Sequence, residues 1–330
     1  MKYNYKADQM RLAASIAVVL IHVTSYLPNF DRETLINYYW YRPFLNIGVP
    51  FFFGVSGYLI SKKGHRFISR YCQNIGLKFL VYSIFYTVLD LVMMVSKHMD
   101  VPKAIAEWWD QRNLYSLING TWGQYHLWFL FALMISAYLY DRFRKNQISN
   151  QKLFAVMMIF NILIWTLPKM DLIDQVFRYG GILKALLYLS MGAYIAHRQP
   201  GFVVTKWHII LMAVIYAVLF NFSPFAILNE LGLTAVTYLL LDNIIHRPGH
   251  ETWLNQWSSM SLDIYVLHVL FLKLVEQYGA KKLWSWFNSD LLYIMVLMLI
   301  SVIGSIAMYP IINRWFFNPL QKGLKLVQEE

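Results

Sequence analysis

Near the end of the chain, Asp290–Ile312 reads DLLYIMVLMLISVIGSIAMYPII. These 23 residues contain a single charged side chain, and it stands at the first position. An α-helix needs about 20 mostly apolar residues to cross the hydrocarbon core of a bilayer. The segment therefore predicts a transmembrane helix, and comparable apolar stretches recur along the whole chain.

The composition of the 330-residue chain is typical of an integral membrane protein. Hydrophobic residues make up 58% of it and charged residues only 14%, whereas a soluble domain carries about 25% charged residues. An aromatic content of 17% excludes a disordered polypeptide. The net charge of +11 would indicate a nucleic-acid partner only if it formed a basic face on a soluble domain. We therefore expect membrane lipids, and no nucleic acid, as partners.

Ten stretches are predicted to cross the membrane because their length and apolar character suit a spanning helix. They cover approximately residues 8–28, 44–62, 74–96, 126–141, 152–168, 179–197, 207–222, 224–245, 258–277 and 290–312. Residues 221–224 (NFSP) are predicted to form the tight turn between the seventh and eighth. The sequence thus predicts an all-α, polytopic membrane bundle of about ten transmembrane helices.

Lysine and arginine residues favour one orientation of this bundle. With the N-terminus in the cytoplasm, the inner segments hold 18 of these residues and the outer loops hold 9. Cytoplasmic loops carry an excess of positive charge, so both termini are predicted to be cytoplasmic. No small-residue cleavage site follows the first apolar segment, which is therefore expected to remain as a helix. Residues 1–330 are expected to form a single transmembrane domain with no appended soluble domain.

The cysteine content excludes an internal disulfide and gives no indication of a metal site. Cys72 is the only cysteine, so the chain forms no internal disulfide. The sequence has no cysteine–histidine cluster of the kind that binds metal ions. We therefore expect no metal site.

The first apolar segment contains ionisable residues, which are costly in a membrane and are therefore candidates for function. Arg11 and His22 are 11 residues apart, so in a helix they share a face and lie about 16 Å apart along the axis. Asp8 lies one turn before Arg11, where it can form an ion pair. The pattern predicts a polar stripe that leads from the cytoplasmic edge to a buried imidazole. A snorkelling arginine and a structural histidine are the alternative.

Two further segments contribute candidate residues. His268 follows Tyr265 in the ninth segment, and it is predicted to lie about 15 Å from the cytoplasmic end, a depth similar to that of His22. This match favours a shared site, although two separate structural histidines would give the same pattern. His126 and Trp128 open the fourth segment at the outer face, where an interfacial aromatic belt would also explain Trp128.

Four motifs in these segments together resemble the membrane acyltransferase-3 family. Arg11 and His22, with ten residues between them, resemble its first-helix signature, and residues 49–59 (VPFFFGVSGYL) are similar to its VPxFFxxSGYL element. Residues 126–130 (HLWFL) resemble its xLWFL motif, and residues 261–268 (SLDIYVLH) resemble its SxxIYxxH motif. The motifs keep the family's order over most of the chain. Within that family, the chain resembles the enterobacterial common antigen O-acetyltransferase type, a bundle without an appended extracellular domain.

The resemblance implies an O-acyltransferase of the bacterial plasma (inner) membrane, and O-acetyl transfer is the family's usual reaction. Such an enzyme moves an acyl group from cytoplasmic acetyl-CoA, or another acyl-CoA, to a hydroxyl of an extracytoplasmic or lipid-linked glycan. Acetyl-CoA is then the donor substrate, and no cofactor is permanently bound. Residues 1–330 would form one acyltransferase domain.

The resemblance also assigns roles to the candidate residues. His22 would be the general base or a transient acyl carrier, and His268 would orient the acceptor or polarise the thioester. The donor-binding candidates are Asp8, Arg11, Arg66 and Arg70. The last two resemble the family's arginine pair, whereas Asn74 stands where a further basic residue is expected. The candidates for the acceptor site or its cavity are Ser56, His126, Trp128 and Tyr265.

A transporter or flippase of polysaccharide or lipid-linked sugar is the alternative function. In such a protein the buried histidines would relay protons and the outer aromatic residues would form a gate. An enzyme that uses acyl-CoA needs arginines at the inner mouth to bind phosphate, whereas a transporter does not. The arginines at the predicted inner ends of the helices favour the enzyme.

Overall fold

The computed structural model describes residues 3–26, 32–96, 100–168, 170, 173–178, 181–199, 203–279, 285–286 and 289–323. These residues form helices and connecting turns without a β-strand, which confirms the all-α fold class. The chain ends at residues 1–2 and 324–330 lie outside the described residues, as do residues 27–31, 97–99 and 280–284 of the predicted outer loops. The predicted orientation of the termini therefore stays a prediction.

The helices follow one another in this order. In the first half of the chain they are α1 (Tyr5–Val23), α2 (Arg32–Asn46), α3 (Gly48–Ser61), α4 (His65–Ser96), α5 (Val101–Asp110), α6 (Leu114–Ile118), α7 (Trp128–Lys145) and α8 (Asn150–Thr166). In the second half they are α9 (Gly181–His197), α10 (Lys206–Phe222), α11 (Ala226–His246), α12 (Asn255–Ser258), α13 (Ser261–Tyr278), α14 (Asp290–Ile312) and α15 (Asn318–Gly323). Short 3₁₀ turns cover Thr24–Tyr26 and Tyr125–Leu127, and π-helical turns cover Asp174–Arg178 and Asn313–Phe317.

Five stretches of the described chain are long and apolar enough to cross a membrane. They are Tyr5–Tyr26, Tyr39–Ser61, His65–Ser96, Val176–His197 and Asp290–Gly323. The helices α8 and α10 are also apolar, but each has 17 residues. A helix lies in each of the ten predicted segments, so the positions of the apolar helices agree with the sequence. The number of ten crossings stays a prediction.

The helix boundaries differ from the predicted segments at several places. The helix α4 begins at His65, nine residues before the predicted start, because hydropathy marks the apolar part of a helix and misses its polar first turns. Most of α2 and the whole of α5 lie in segments that were predicted as loops. Asp100 caps α5 by accepting a hydrogen bond from the Lys103 N–H, a local signal for a helix start. The connection between α10 and α11 covers residues 223–225, slightly later than the predicted turn at 221–224, since α10 ends at Phe222 and α11 begins at Ala226.

The chain forms two compact units. Unit 1 consists of Met1–Tyr58 with Ile195–Pro319, and unit 2 consists of Leu59–Tyr194 with Leu320–Glu330. In unit 1, α1 packs against α13 and α14. In unit 2, α4 packs against α5 and α7. The single domain over residues 1–330 stays a prediction.

Hydrogen bonds fasten the beginning of α1 to the end of α11 within unit 1. Asn4 caps α1 by accepting from the Ala7 N–H at 2.9 Å, and its amide donates to the Ile244 carbonyl at 2.9 Å. The Lys6 ammonium donates to the Asn243 side chain at 2.6 Å. Because Asn4 is buried and satisfied at both ends of its amide, it fixes where α1 begins.

Candidate functional site

A buried serine on α1 sets the register between α1 and α13. The Ser15 hydroxyl donates to the Ser261 carbonyl at 2.8 Å, and both residues are completely buried. The same hydroxyl lies 3.0 Å from the Arg11 carbonyl of its own helix. The bond to Ser261 joins the middle of α1 to the first residue of α13.

His22 and His268 each lie seven residues beyond the serines that form this bond. Seven residues advance a helix by two turns, about 10 Å, so two helices running in the same direction reach the same level. The imidazole rings of His22 and His268 are stacked there, with centroids 5.2 Å apart and planes 27° apart. The structure thus brings together the two histidines that the sequence predicted to lie at equal depth.

The two histidines differ in accessibility and in hydrogen bonding. His268 is completely buried, and its Nδ1 lies 2.6 Å from the Tyr265 carbonyl. A carbonyl only accepts, so this contact assigns the proton to Nδ1 and leaves Nε2 as the acceptor of the neutral ring. His22 is only half-buried. Part of His22 is therefore accessible, whereas His268 is enclosed in the core.

Aromatic residues of α3 and α13 surround the buried histidine. The Tyr265 ring lies 6.1 Å from the His268 ring and 6.4 Å from the Phe52 ring, measured between centroids. Phe52 lies one turn before Ser56 on α3, and Ser56 is half-buried. Unit 1 therefore brings Tyr265 next to the histidine pair and places α3 beside it.

Asp8 and Arg11 form the ion pair that their spacing predicts. Their closest atoms are 3.4 Å apart, and 28% of the Arg11 side chain is exposed. The Tyr3 hydroxyl donates to the other oxygen of Asp8, and this hydrogen bond raises the pKa of Tyr3 to about 12. A partly exposed ion pair contributes only about 0–1 kcal/mol to the free energy of folding. An incoming anion such as phosphate can therefore compete with Asp8 for Arg11.

The sequence reasoning missed residues around the histidine pair. Arg42, which was assigned to an outer loop, belongs to α2 and to the same unit as His22. No motif marks Arg42, because α2 lies mostly between the predicted apolar segments. Ser15 was also missed, and Ser261 was noted only as the first residue of the SxxIYxxH motif, although a signal for both exists. Each precedes a candidate histidine by the same seven residues.

Arg66 and Arg70 lie on the first turns of α4 in unit 2. Both are exposed and are one helical turn apart, so they point from the same face. Asn74 follows one turn later, and its side-chain oxygen accepts from the Gln321 amide at 3.5 Å. The two arginines are therefore accessible to an anion, and their role in donor binding stays a prediction.

His126 and Trp128 are packed inside unit 2. His126 is completely buried, with the Tyr86 ring at 5.0 Å and the Tyr125 ring at 5.6 Å between centroids. Trp128 lies against Gly181, where an added Cβ would come within 2.3 Å of its ring. Both residues therefore pack within the helices, and their contact with an acceptor stays a prediction.

A family model described as an acyltransferase domain matches residues 4–310. The chain belongs to the membrane acyltransferase-3 family. The comparisons with curated proteins and with solved structures found no match. Membership in this family and the apolar helices make the chain a membrane protein of the acyltransferase class. All candidate residues of this acyltransferase domain, from Asp8 to His268, lie within the matched region.

The first prediction tests the register of the histidine pair. Ser15→Ala removes the bond between α1 and α13 with the loss of only one oxygen, so it should lower the rate of acyl transfer. We expect a loss of between a few-fold and about 100-fold, because small misplacements of reacting groups are costly. Transfer is measured with the purified protein in detergent or nanodiscs.

Ser305→Ala is the matched control. Ser305 is also a completely buried serine of unit 1, but its hydroxyl donates to the Ser301 carbonyl within α14. This control should keep the transfer rate of the unchanged protein. Equal rates for the two variants would show that the bond between Ser15 and Ser261 does not position the histidines.

Proposed function

We propose that the protein is an O-acyltransferase of the bacterial plasma (inner) membrane that takes acetyl groups from acetyl-CoA. The acceptor is a hydroxyl of an extracytoplasmic or lipid-linked glycan. The stacked pair of His22 and His268 carries this proposal. It places an accessible imidazole on the same helix as Arg11, in a chain of the acyltransferase-3 family.

The donor would bind with its phosphates near Arg11. Arginine suits phosphate because its planar guanidinium offers two parallel hydrogen bonds. Arg11 and His22 are about 16 Å apart along α1. A long, narrow donor such as acetyl-CoA can therefore hold its phosphates at Arg11 while its thioester reaches the histidine. Arg66 and Arg70 stay candidates for donor binding on the sequence alone.

His22 would remove the proton from the acceptor hydroxyl in direct transfer. The hydroxyl oxygen then bonds to the thioester carbonyl carbon, the carbon–sulfur bond breaks, and the proton passes from His22 to the sulfur of CoA. In the alternative relay, one nitrogen of His22 bonds to the thioester carbonyl carbon, the carbon–sulfur bond breaks, and CoA leaves as its thiol with the proton of the other ring nitrogen. The acceptor oxygen then bonds to the acetyl carbon, the carbon–nitrogen bond breaks, and the hydroxyl proton returns to the imidazole. Both routes use the same half-buried ring.

His268 and Arg42 would support this ring without exchanging bonds with the substrate. The Nδ1–H of His268 is held by the Tyr265 carbonyl, so the buried imidazole has a fixed orientation from which it can hold His22. Negative charge develops on the thioester oxygen during attack, and a fixed positive charge nearby stabilises it. Arg42 of α2, which belongs to the same unit as His22, is the candidate for that charge.

The second prediction concerns the proposed base. His22→Ala should leave the protein folded in the membrane and lower acetyl transfer by at least about 100-fold, the usual contribution of a positioned acid–base group. The measurement is mass spectrometry of the host's surface glycans with the unchanged gene, without the gene and with His22→Ala. The last two should lose the same acetyl mass.

His250→Ala is the control for this experiment, because His250 is an exposed histidine of the same unit. It should retain the acetylated glycan. Full acetylation with His22→Ala would remove His22 from the mechanism. Loss of the entire glycan from the surface would instead support the transporter.

The third prediction separates donor binding from transfer. Arg11→Ala should raise the half-saturating concentration of acetyl-CoA by about ten- to hundredfold, the value of a hydrogen bond to a charged group. Asp8→Asn should lower it by up to about fivefold, since it frees Arg11 from an ion pair worth at most about 1 kcal/mol. A kinetic titration of acetyl-CoA at saturating acceptor measures both. Changes in the same direction for the two variants would contradict phosphate binding at Arg11.

A further inference from the structure

A groove of about 550 Å³ runs along α4 and α7 in unit 2. Leu77 and Leu80 of α4 line one wall, and Met134, Ile135 and Tyr138 of α7 line the other. The lining is mostly apolar, and its volume lies in the range of about 300–1,000 Å³ that is usual for ligand sites. Leu80 is 58% exposed and Tyr138 is 46% exposed, so the groove opens on the protein surface.

The two walls are held together where α4 and α7 approach each other closely. The Cys72 thiol donates to the Met134 carbonyl at 3.6 Å. Gly76 follows one turn later on α4, and an added Cβ there would come within 2.8 Å of the Met134 sulfur. The groove therefore lies beside a fixed helix contact, and its shape is organised before any ligand binds.

A chain of polar contacts joins the two helices at one end of the groove. Nδ1 of His65, at the start of α4, donates to the Asp141 carboxylate of α7, and the Lys145 ammonium donates to Nε2 of the same ring at 2.8 Å. His65 precedes Cys72 by seven residues, and Asp141 follows Met134 by seven. Equal steps in opposite directions are expected of antiparallel helices. The polar end of the groove therefore lies about two helical turns from the contact of Cys72 with Met134.

The segments that meet at this polar end carry a large excess of positive charge. Residues 61–70 contain four lysines and arginines and no acidic residue, and residues 138–152 contain four with one acidic residue, Asp141. The predicted orientation puts this end at the cytoplasmic surface. Clusters of roughly four to eight basic residues beside a membrane helix attract anionic lipids, and basic pockets between helices bind their headgroups.

Arg142 holds one of these charges beside the groove. Its Nε donates to the Tyr138 hydroxyl at 2.9 Å, and its guanidinium lies 5.0 Å from the centroid of the Tyr138 ring. A snorkelling arginine extends away from apolar side chains towards water, whereas this one folds back over a residue that lines the groove. The contacts with Tyr138 use Nε and the face of the guanidinium. Arg142 is exposed, so its terminal N–H groups are available to a phosphate.

We propose that this groove binds an anionic phospholipid of the surrounding membrane. One acyl chain lies between Leu80 and Ile135, and the phosphate contacts Arg142. Hydrocarbon gains little from the hydrophobic effect inside a bilayer, so the groove supplies the fit of the chain and Arg142 selects the negative headgroup. The inference goes beyond the proposed function, because it does not depend on the histidine pair or on acetyl transfer.

The first experiment maps the lipid on the unchanged protein in nanodiscs. A small share of the lipid is photoreactive and is either phosphatidylglycerol, which is anionic, or phosphatidylethanolamine, which is zwitterionic. Both probes carry the reactive group at the same position of the same acyl chain, and mass spectrometry quantifies the labelled peptides. Phosphatidylglycerol should label residues 72–80 and 134–138 about fivefold more than phosphatidylethanolamine does, the effect of one cation at an anionic membrane surface.

The helix α14 gives the background labelling by bulk lipid. Met295, Leu299 and Ile303 of this helix are exposed apolar residues, as Leu80 is in the groove. The two probes should label α14 equally. Equal labelling of the groove by the two probes, or the same preference for phosphatidylglycerol at α14, would overturn the proposal.

The second experiment removes the cation. Arg142→Gln should lower the labelling of the groove by phosphatidylglycerol about fivefold, to the level of phosphatidylethanolamine. The matched control is Arg314→Gln, because Arg314 is also exposed and its guanidinium also lies over an aromatic ring, that of Trp315, at 6.0 Å from the centroid. Arg314 belongs to unit 1, so this control should keep the labelling of the unchanged protein.

Equal labelling of the groove in Arg142→Gln and Arg314→Gln would overturn the role of Arg142 in selecting the lipid. Thermal unfolding of both variants confirms that they are folded, and the mapping on the unchanged protein does not depend on either of them. Acetyl transfer is not measured in these experiments, so their result is separate from that of the proposed function.

Discussion

The hydrogen bond between the Ser15 hydroxyl and the Ser261 carbonyl is the constraint on which the candidate site of unit 1 depends. It joins two helices that run in the same direction at one level, and the equal spacing of seven residues places His22 and His268 together two turns later. The hydrogen bonds of Asn4 and Lys6 to the end of α11 fix where α1 begins. The separation of Arg11 and His22 follows from the pitch of a single helix.

This register gives two identical side chains different roles. His268 is enclosed by α13 and by the ring of Tyr265, whereas His22 keeps part of its surface accessible. Burying a polar group inside a membrane protein costs free energy unless a hydrogen-bond partner is close. His268 meets this condition through the Tyr265 carbonyl. In the proposed reaction, the accessible ring changes bonds while the buried ring holds its orientation.

The sequence predicts the features that depend on one helix at a time. Apolar length predicted the helical class and the positions of the apolar helices, and the equal depth of His22 and His268 predicted their approach. The burial of His126 depends on the rings of Tyr86 and Tyr125, which only packing brings around it. The groove between α4 and α7 depends on contacts between two helices that are far apart in the sequence, and no spacing in the sequence reveals them. Features that join several segments therefore required the structure.

The most direct measurement of the central claim, that the histidine pair is the site of acyl transfer, is the structure of the protein bound to an acetyl-CoA analogue. In this analogue a methylene replaces the thioester sulfur, so that the acetyl group cannot leave. We expect the carbonyl carbon of the analogue to lie about 3–3.5 Å from a ring nitrogen of His22, the distance of a reactive complex. We also expect its phosphates to contact Arg11. An analogue whose carbonyl lies away from both histidines while its phosphates bind elsewhere would contradict this assignment.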